Sequence, residues 1–190
     1  VSDLTLEEPH GTTLTPLTVG TWNVDPSHSS VGFTARHLMV SKVRGTFTSF
    51  SGTVVVAENP LASTVSASVD MASVSTGDAN RDGHLQSPDF FDVAQFPTMT
   101  FTTTSLEADD DDYLLHGDLT IKGVTRPVTF ELEFEGVATD PWGNTKAGFS
   151  AEAEINRKEW GLEWNVALEA GGVLVGEKIK IQLDIQAVRA

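Results

Sequence analysis

Apolar and polar side chains alternate through most of the chain, and the pattern is cleanest between Gly117 and Phe134. Val128, Phe130, Leu132 and Phe134 interleave there with Thr129, Glu131, Glu133 and Glu135. Ahead of them Leu119 and Ile121 interleave with Asp118, Thr120 and Lys122. Successive side chains on a strand face opposite sides, so both halves predict strands with one buried and one wet face. Lys122-Gly123 between them predicts a tight hairpin turn, because glycine accepts positive φ. Pro127 lacks an N–H, which suits a strand start or an unpaired edge position.

The same alternation recurs along the chain. Trp22 and Val24 face inward before a turn at Asp25-Pro26-Ser27. Val31, Phe33, Ala35 and His37 then share a face, and LMVSKV reads as a connector to Gly45. A strand over 46–57 carries Phe47, Phe50, Val54 and Val56, with a slip in phase that predicts a bulge or bend near Ser51-Gly52. Asn59-Pro60 turns the chain into Val65, Ala67, Val69 and Met71. The period is lost over 76–96, where Asp78 as N-cap and Pro88 and Pro97 as stops predict a short helix with loops. Strands resume with Met99, Phe101 and Thr103. They continue through 113–122, 128–137 and the set Ala147, Phe149, Ala151, Ala153 and Ile155, and end with Ile179, Ile181, Leu183, Ile185 and Ala187. Residues 156–172 are mixed, with 163–168 a short strand or lip. Residues 1–19 read as an N-terminal arm, and 20–190 as one domain.

Seven to nine antiparallel strands with one apolar face each, and no long helix to cover a sheet, leave a barrel or a sandwich. Long strands joined by hairpins favour an all-β, single antiparallel up-and-down barrel of about eight strands with one short helical excursion. A barrel of that size is filled by side chains or holds one ligand. The inward set mixes small residues (Ala35, Ala67, Gly117, Ala147, Ala151, Ala153) with large ones (Phe33, Phe47, Phe101, Phe130, Phe149). Small residues on neighbouring strands would leave a dry apolar tunnel suited to an extended chain. The competing expectation is that the rings fold over the alanines and fill the space.

Charge narrows the partners. With 12 Lys and Arg against 27 Asp and Glu the net charge is −15, which argues against nucleic acid and anionic lipid as partners, because both demand clustered basic residues. The absence of cysteine excludes disulfides and thiolate metal sites. No apolar run is long enough for a spanning helix. No secretory signal is visible, so the expected compartment is the cytoplasm as the chain stands, or the periplasm or exterior if a signal has been removed. The five histidines show neither HxH nor HxxxH spacing, and no GxSxG elbow accompanies Asp25, Ser27 and His28, so neither a metal site nor a hydrolase is expected. The run Asp109 to Asp112 lacks the spaced ligands of a calcium loop and reads as a solvated tip. Arg81-Asp82-Gly83-His84 lies on the aperiodic excursion. There Arg81 either meets a polar head group or, with Asp82, staples the helix to the barrel.

Several of these stretches resemble the YceI-like, polyisoprenoid-binding family. They are Trp22 to Ser29 with Val31-Gly32-Phe33 and Arg36-His37, then Arg81-Asp82 with His84-Leu85, and the runs from Phe90 and from Gly117. Asn156-Arg157 with Trp160-Gly161 completes the set, in order over most of the chain. The resemblance implies a lipocalin-like barrel that holds a long isoprenoid or fatty-acid-like lipid, with no enzymatic cofactor, and it admits a homodimer. It also implies that His28, His37, Arg81, Asp82, His84, Asn156, Arg157 and Trp160 frame the pore. The expected ligand-binding residues are Phe33, Ala35, His37, Phe47, Arg81, His84, Phe101, Leu119, Phe130, Phe149, Ala151 and Trp160. The alternatives are an enzyme acting on a quinone or lipid through His37 or His84, and a structural or stress-related scaffold.

Overall fold

The computed structural model describes residues 17–190. The expected arm lies outside the described residues over 1–16. Eleven strand segments and one helix follow in order: β1 (Gly20–Val24), β2 (Ser30–His37), β3 (Ser41–Phe47), β4 (Phe50–Val56), β5 (Thr64–Asp70), β6 (Val74–Ser75), α1 (Ala79–Gln86), β7 (Thr98–Asp109), β8 (Asp112–Ile121), β9 (Val124–Thr139), β10 (Thr145–Asn156) and β11 (Val175–Arg189). The segments make eight staves. β1 and β2 lie end to end along β11, β3 and β4 lie end to end along that stave, and β5 and β6 lie along the next. β7 to β11 are one stave each. Every neighbour is antiparallel, and β1 pairs with β11, so the sheet closes into an up-and-down, lipocalin-like barrel with the expected number of strands.

Closure joins the first strand to the last. Trp22 lies opposite Arg189 and Val24 opposite Ala187, and the Ala190 N–H donates to the Thr21 carbonyl at 2.9 Å. Trp22 is 1% exposed and anchors a buried cluster with Val56, Phe134, Ala147 and Ala187 at this end of the barrel. The opposite end carries α1, the β2–β3 and β8–β9 turns and the 157–174 connection. It is called the helical end below.

Local chemistry accounts for the joints. Asp78 caps α1 by accepting the Arg81 N–H at 3.0 Å, as the sequence predicts. The Lys122-Gly123 turn has φ of 52° and 74°, the conformation of a type I′ hairpin. Pro127 pairs with Asp118 on one side, whereas pairing of β9 with β10 spans only Glu131 to Thr139, so the missing donor falls where no ladder exists.

Three expectations are corrected. The stretch LMVSKV is not a connector: Leu38 and Met39 turn the chain and Ser41 already opens β3, with Lys42 opposite Arg36 and Val43 opposite Ala35. Leu38 and Met39 take φ of 53° and 61°, so they make a type I′ turn without glycine or asparagine. Left-handed backbone strains such residues by about 1–2 kcal/mol each, which is why no turn signal is visible there. The break expected near Ser51-Gly52 sits instead at Thr48-Ser49, where the Thr48 N–H donates to Ser73 O and Ser49 O accepts from the Asp70 N–H. Of the two readings of 163–168, a short strand or a lip, the strand does not form. The segment contributes one bridge, Ala167 to Val173.

Candidate functional site

The lumen holds two adjacent chambers, so the rings do not fill it from end to end. The chamber at the helical end has a volume of about 260 Å³ and the deeper one about 200 Å³. Val31, Met99 and Ile181 line both and mark the waist between them.

Register explains the open space. Phe33 lies opposite Gly45, and its ring rests on the glycine backbone: a Cβ on Gly45 would sit 2.3 Å from Phe33 Cζ. Phe101 lies over Gly117 in the same way, with a Cβ there 2.3 Å from Phe101 Cζ. Two rings that would otherwise cross the lumen are thereby laid flat against its wall. Edge-to-face packing of Phe101 on Phe130, with centroids 5.4 Å apart, fixes the second of them.

The deep chamber is lined by Phe101, Leu119, Phe130, Phe149 and Ala151, all expected from the sequence. Val24, Val54, Val65, Leu115, Leu132 and Ile185 line it as well. Tyr113 adds a hydroxyl, and burial, with the nearby Asp112 carboxylate, raises its pKa. No charged residue lines this chamber.

The chamber at the helical end is lined by Phe33, Ala35, His37, Phe47, Arg81 and His84 from the expected set, and by Phe91, Ile121, Ile155, Leu162 and Trp164. Its charged lining residues are Arg81 and Arg157, with Arg36 bordering it from the outer face of β2 and no Asp or Glu among them. Arg81 donates through Nε to Thr76 Oγ1 at 2.7 Å and through an η-nitrogen to Thr76 O at 2.8 Å. Asp82 Oδ1 accepts from the same threonine's N–H and hydroxyl at 2.9 and 2.6 Å. This staple holds α1 to the barrel, the second of the two uses foreseen for Arg81, while the side chain also borders the chamber. His84 Nε2 lies 2.9 Å from Asp89 Oδ2, and its ring stands edge-on to Trp164 at 4.6 Å and to Phe90 at 5.1 Å. That stack ties the helix to the 157–174 connection.

Trp160 lines neither chamber. It is 1% exposed, and its indole N–H donates to the Leu119 carbonyl at 2.9 Å, which makes it a wedge under the helical end. His28, Asp82 and Asn156, expected to frame the pore, also line neither chamber. His28 stands on an exposed turn with Nδ1 2.8 Å from Asp25 Oδ2. Asn156 instead caps the turn that follows β10, accepting the Lys158 N–H at 3.0 Å.

Arg157 carries more of the site than its position in the sequence suggests. It is 3% exposed and lines the upper chamber. Its guanidinium donates to Gly176 O at 2.9 Å, Val175 O at 3.2 Å and Leu162 O at 2.5 Å. No carboxylate lies within ion-pair distance of it among the described residues. Burial lowers its pKa, opposed by the charge of Glu177. Periodicity alone could not single out this residue, because the carbonyls that hold it come from β11 and the 162 turn.

The deep lumen is therefore an uncharged apolar pocket, next to a chamber whose charges are all positive. That is the form of a site for one ligand with an apolar body and a polar end.

Comparisons agree with the architecture. Residues 22–187 match the model of the YceI-like domain. Protein YceI of Escherichia coli O157:H7 is 44% identical over 137 residues, covering 72% of each chain. Among solved structures, BcnA of Burkholderia cenocepacia shares the fold with a TM-score of 0.71 at 23% identity, covering 86% of this chain and 98% of that one. A polyisoprenoid binding domain from Saccharophagus degradans, implicated in plant cell wall breakdown, superposes with a TM-score of 0.66 at 15% identity over 91% of this chain and all of that one. With the family's domain spanning nearly the whole described barrel, the chain belongs to the YceI-like family.

Proposed function

We propose that the protein binds one long-chain amphiphile, an isoprenoid or a related lipid, inside the barrel, for carriage, storage or sequestration. The tail occupies the deep chamber and passes the waist at Val31, Met99 and Ile181. The polar end lies at the helical end among His37, Arg81, His84 and Arg157. The observation that carries this reading is the division of the lining: no charge in the deep chamber, and only positive charge in the upper one. The binding named for the Saccharophagus degradans domain supports the ligand class. Each methylene moved out of water contributes about 0.8 kcal/mol, so a long tail holds tightly even after the chain is ordered. Met99 at the waist suits a sliding tail, because its unbranched thioether adapts to irregular contacts.

Native mass spectrometry and solvent extraction of the purified protein test this. A long-chain lipid released in about equimolar amount is the expected result. Ala151 is 6% exposed and lines the deep chamber, so Ala151→Trp fills the tail path and should cut loading at least tenfold, with an overpacking cost of about 1–3 kcal/mol in stability. Absence of any extractable lipid, together with no uptake of added prenols or fatty acids, overturns the reading.

A further inference from the structure

The turn between β2 and β3 presents three consecutive apolar residues to water. Leu38 is 41% exposed, Met39 55% and Val40 81%. Val166, 46% exposed, lies alongside: the Leu38 N–H donates to Leu174 O at 2.8 Å and the Leu174 N–H to Val166 O at 2.9 Å. The tip is held out rather than folded back, because the Leu38 bond and the Val40 N–H to His37 O bond at 3.2 Å fix its base. Retaining leucine and methionine where the backbone favours asparagine and glycine keeps this apolar face at the expense of turn stability.

The charge around the tip differs from the rest of the molecule. Residues 26–57 contain no Asp or Glu, although the chain has 27. Arg36 and Lys42 face each other across the hairpin, and Arg44 follows on the same outer face, opposite Thr34. Among the described residues Arg36, Lys42 and Arg44 meet no carboxylate, as is also true of Arg81, Lys122, Arg126, Arg157 and Arg189, but these three lie together on one acid-free hairpin. An exposed apolar tip with a basic collar matches the requirements of an anionic lipid surface: apolar side chains enter the acyl boundary while cations meet the head groups. In a chain of net charge −15 the acid-free hairpin is repelled by an anionic surface less than the acid-bearing stretches are. Glu163 and Glu169, on the neighbouring connection, are the acidic groups nearest in the chain to Val166, and they limit how far that side can approach.

We propose that the β2–β3 tip docks this protein on an anionic bilayer, with the helical end of the barrel facing the lipid. His37 and Val43, on the same hairpin, line the upper chamber, so docking brings its mouth to the membrane surface. The proposal goes beyond lipid binding in the lumen and does not require it.

Co-sedimentation of the full chain tests it. The vesicles are of equal parts phosphatidylcholine and phosphatidylserine, against phosphatidylcholine alone. Association with the mixed vesicles should exceed that with the neutral ones by about tenfold or more and fall with added salt. The double change Leu38→Asn/Met39→Gly builds a favoured type I′ turn. It should raise Tm and weaken vesicle association by about tenfold, so loss of binding cannot be blamed on unfolding. Lys42→Gln/Arg44→Gln should abolish the preference for anionic vesicles. Trp142→Ser, at an 83% exposed position on the opposite end, should leave association unchanged. Lipid extracted from the lumen should be the same in all these variants, which separates docking from loading. Equal binding to both vesicles, undiminished binding by the Asn-Gly variant, or no binding accompanied by a change in oligomeric state on altering the tip would each overturn the proposal.

Discussion

At Gly45 a single hydrogen atom decides how much of the upper chamber is open. The three atoms nearest to a Cβ there all belong to the ring of Phe33, which can swing off the wall. Gly45→Ala is expected to fold with a loss of about 1–3 kcal/mol and to turn the ring into the chamber, reducing lipid loading. Thermal unfolding and lipid stoichiometry check the two effects. Gly117→Ala should be more damaging, because its Cβ also meets Thr102 O at 2.6 Å, and backbone cannot swing away. Asp25 governs a different property. The Ser27 hydroxyl at 2.6 Å, then His28, hold its carboxyl down to about 2. The folded value lies below the ordinary one near 3.9, so this stabilisation is complete well above pH 4 and is lost as pH falls toward 2. Asp25→Asn should lower Tm at neutral pH and approach the parent as pH falls to about 2, which melting curves across that range would show.

Among the elements, the 157–174 connection is the least regular, and Arg157 is what ties it to β11. Arg157→Ala strands the carbonyls of Leu162, Val175 and Gly176 inside the protein, with an expected cost of about 3–5 kcal/mol. Hydrogen exchange should rise first in this connection and at the start of β11. Protection loss spread evenly over the barrel would contradict a local clamp. Arg157→Lys should recover little, since an ammonium cannot reproduce the planar fork. The strands themselves were legible in advance, because alternation survives in every long stave. The joints were legible where Gly123, Asp78, Asp25-Pro26 or Asn59-Pro60 signalled them. Leu38-Met39 gave no such signal, since their side chains oppose the backbone they adopt. The interruption at Thr48-Ser49 depends on hydrogen bonds to Ser73 and Asp70, from another stave.

For the molecule as a whole, the apolar lining could be anticipated from inward-facing positions, and eleven of the twelve expected site residues line one chamber or the other. Whether the rings would fill the lumen could not be, because that depends on which residue lies across from each ring. Phe33 meets Gly45 only through strand register, twelve positions along the chain. Net charge was similarly a poor guide to surface chemistry: −15 conceals a hairpin free of acids. Acidity argues against an anionic surface only if it is evenly spread, and here it is not.

The seam joining Thr21 and Trp22 to Arg189 and Ala190 sets a condition on biosynthesis. The first stave finds its last partner only once β11, the last strand, has left the ribosome. Until then both flanks of the nascent sheet stay unpaired and the lumen stays open along its length.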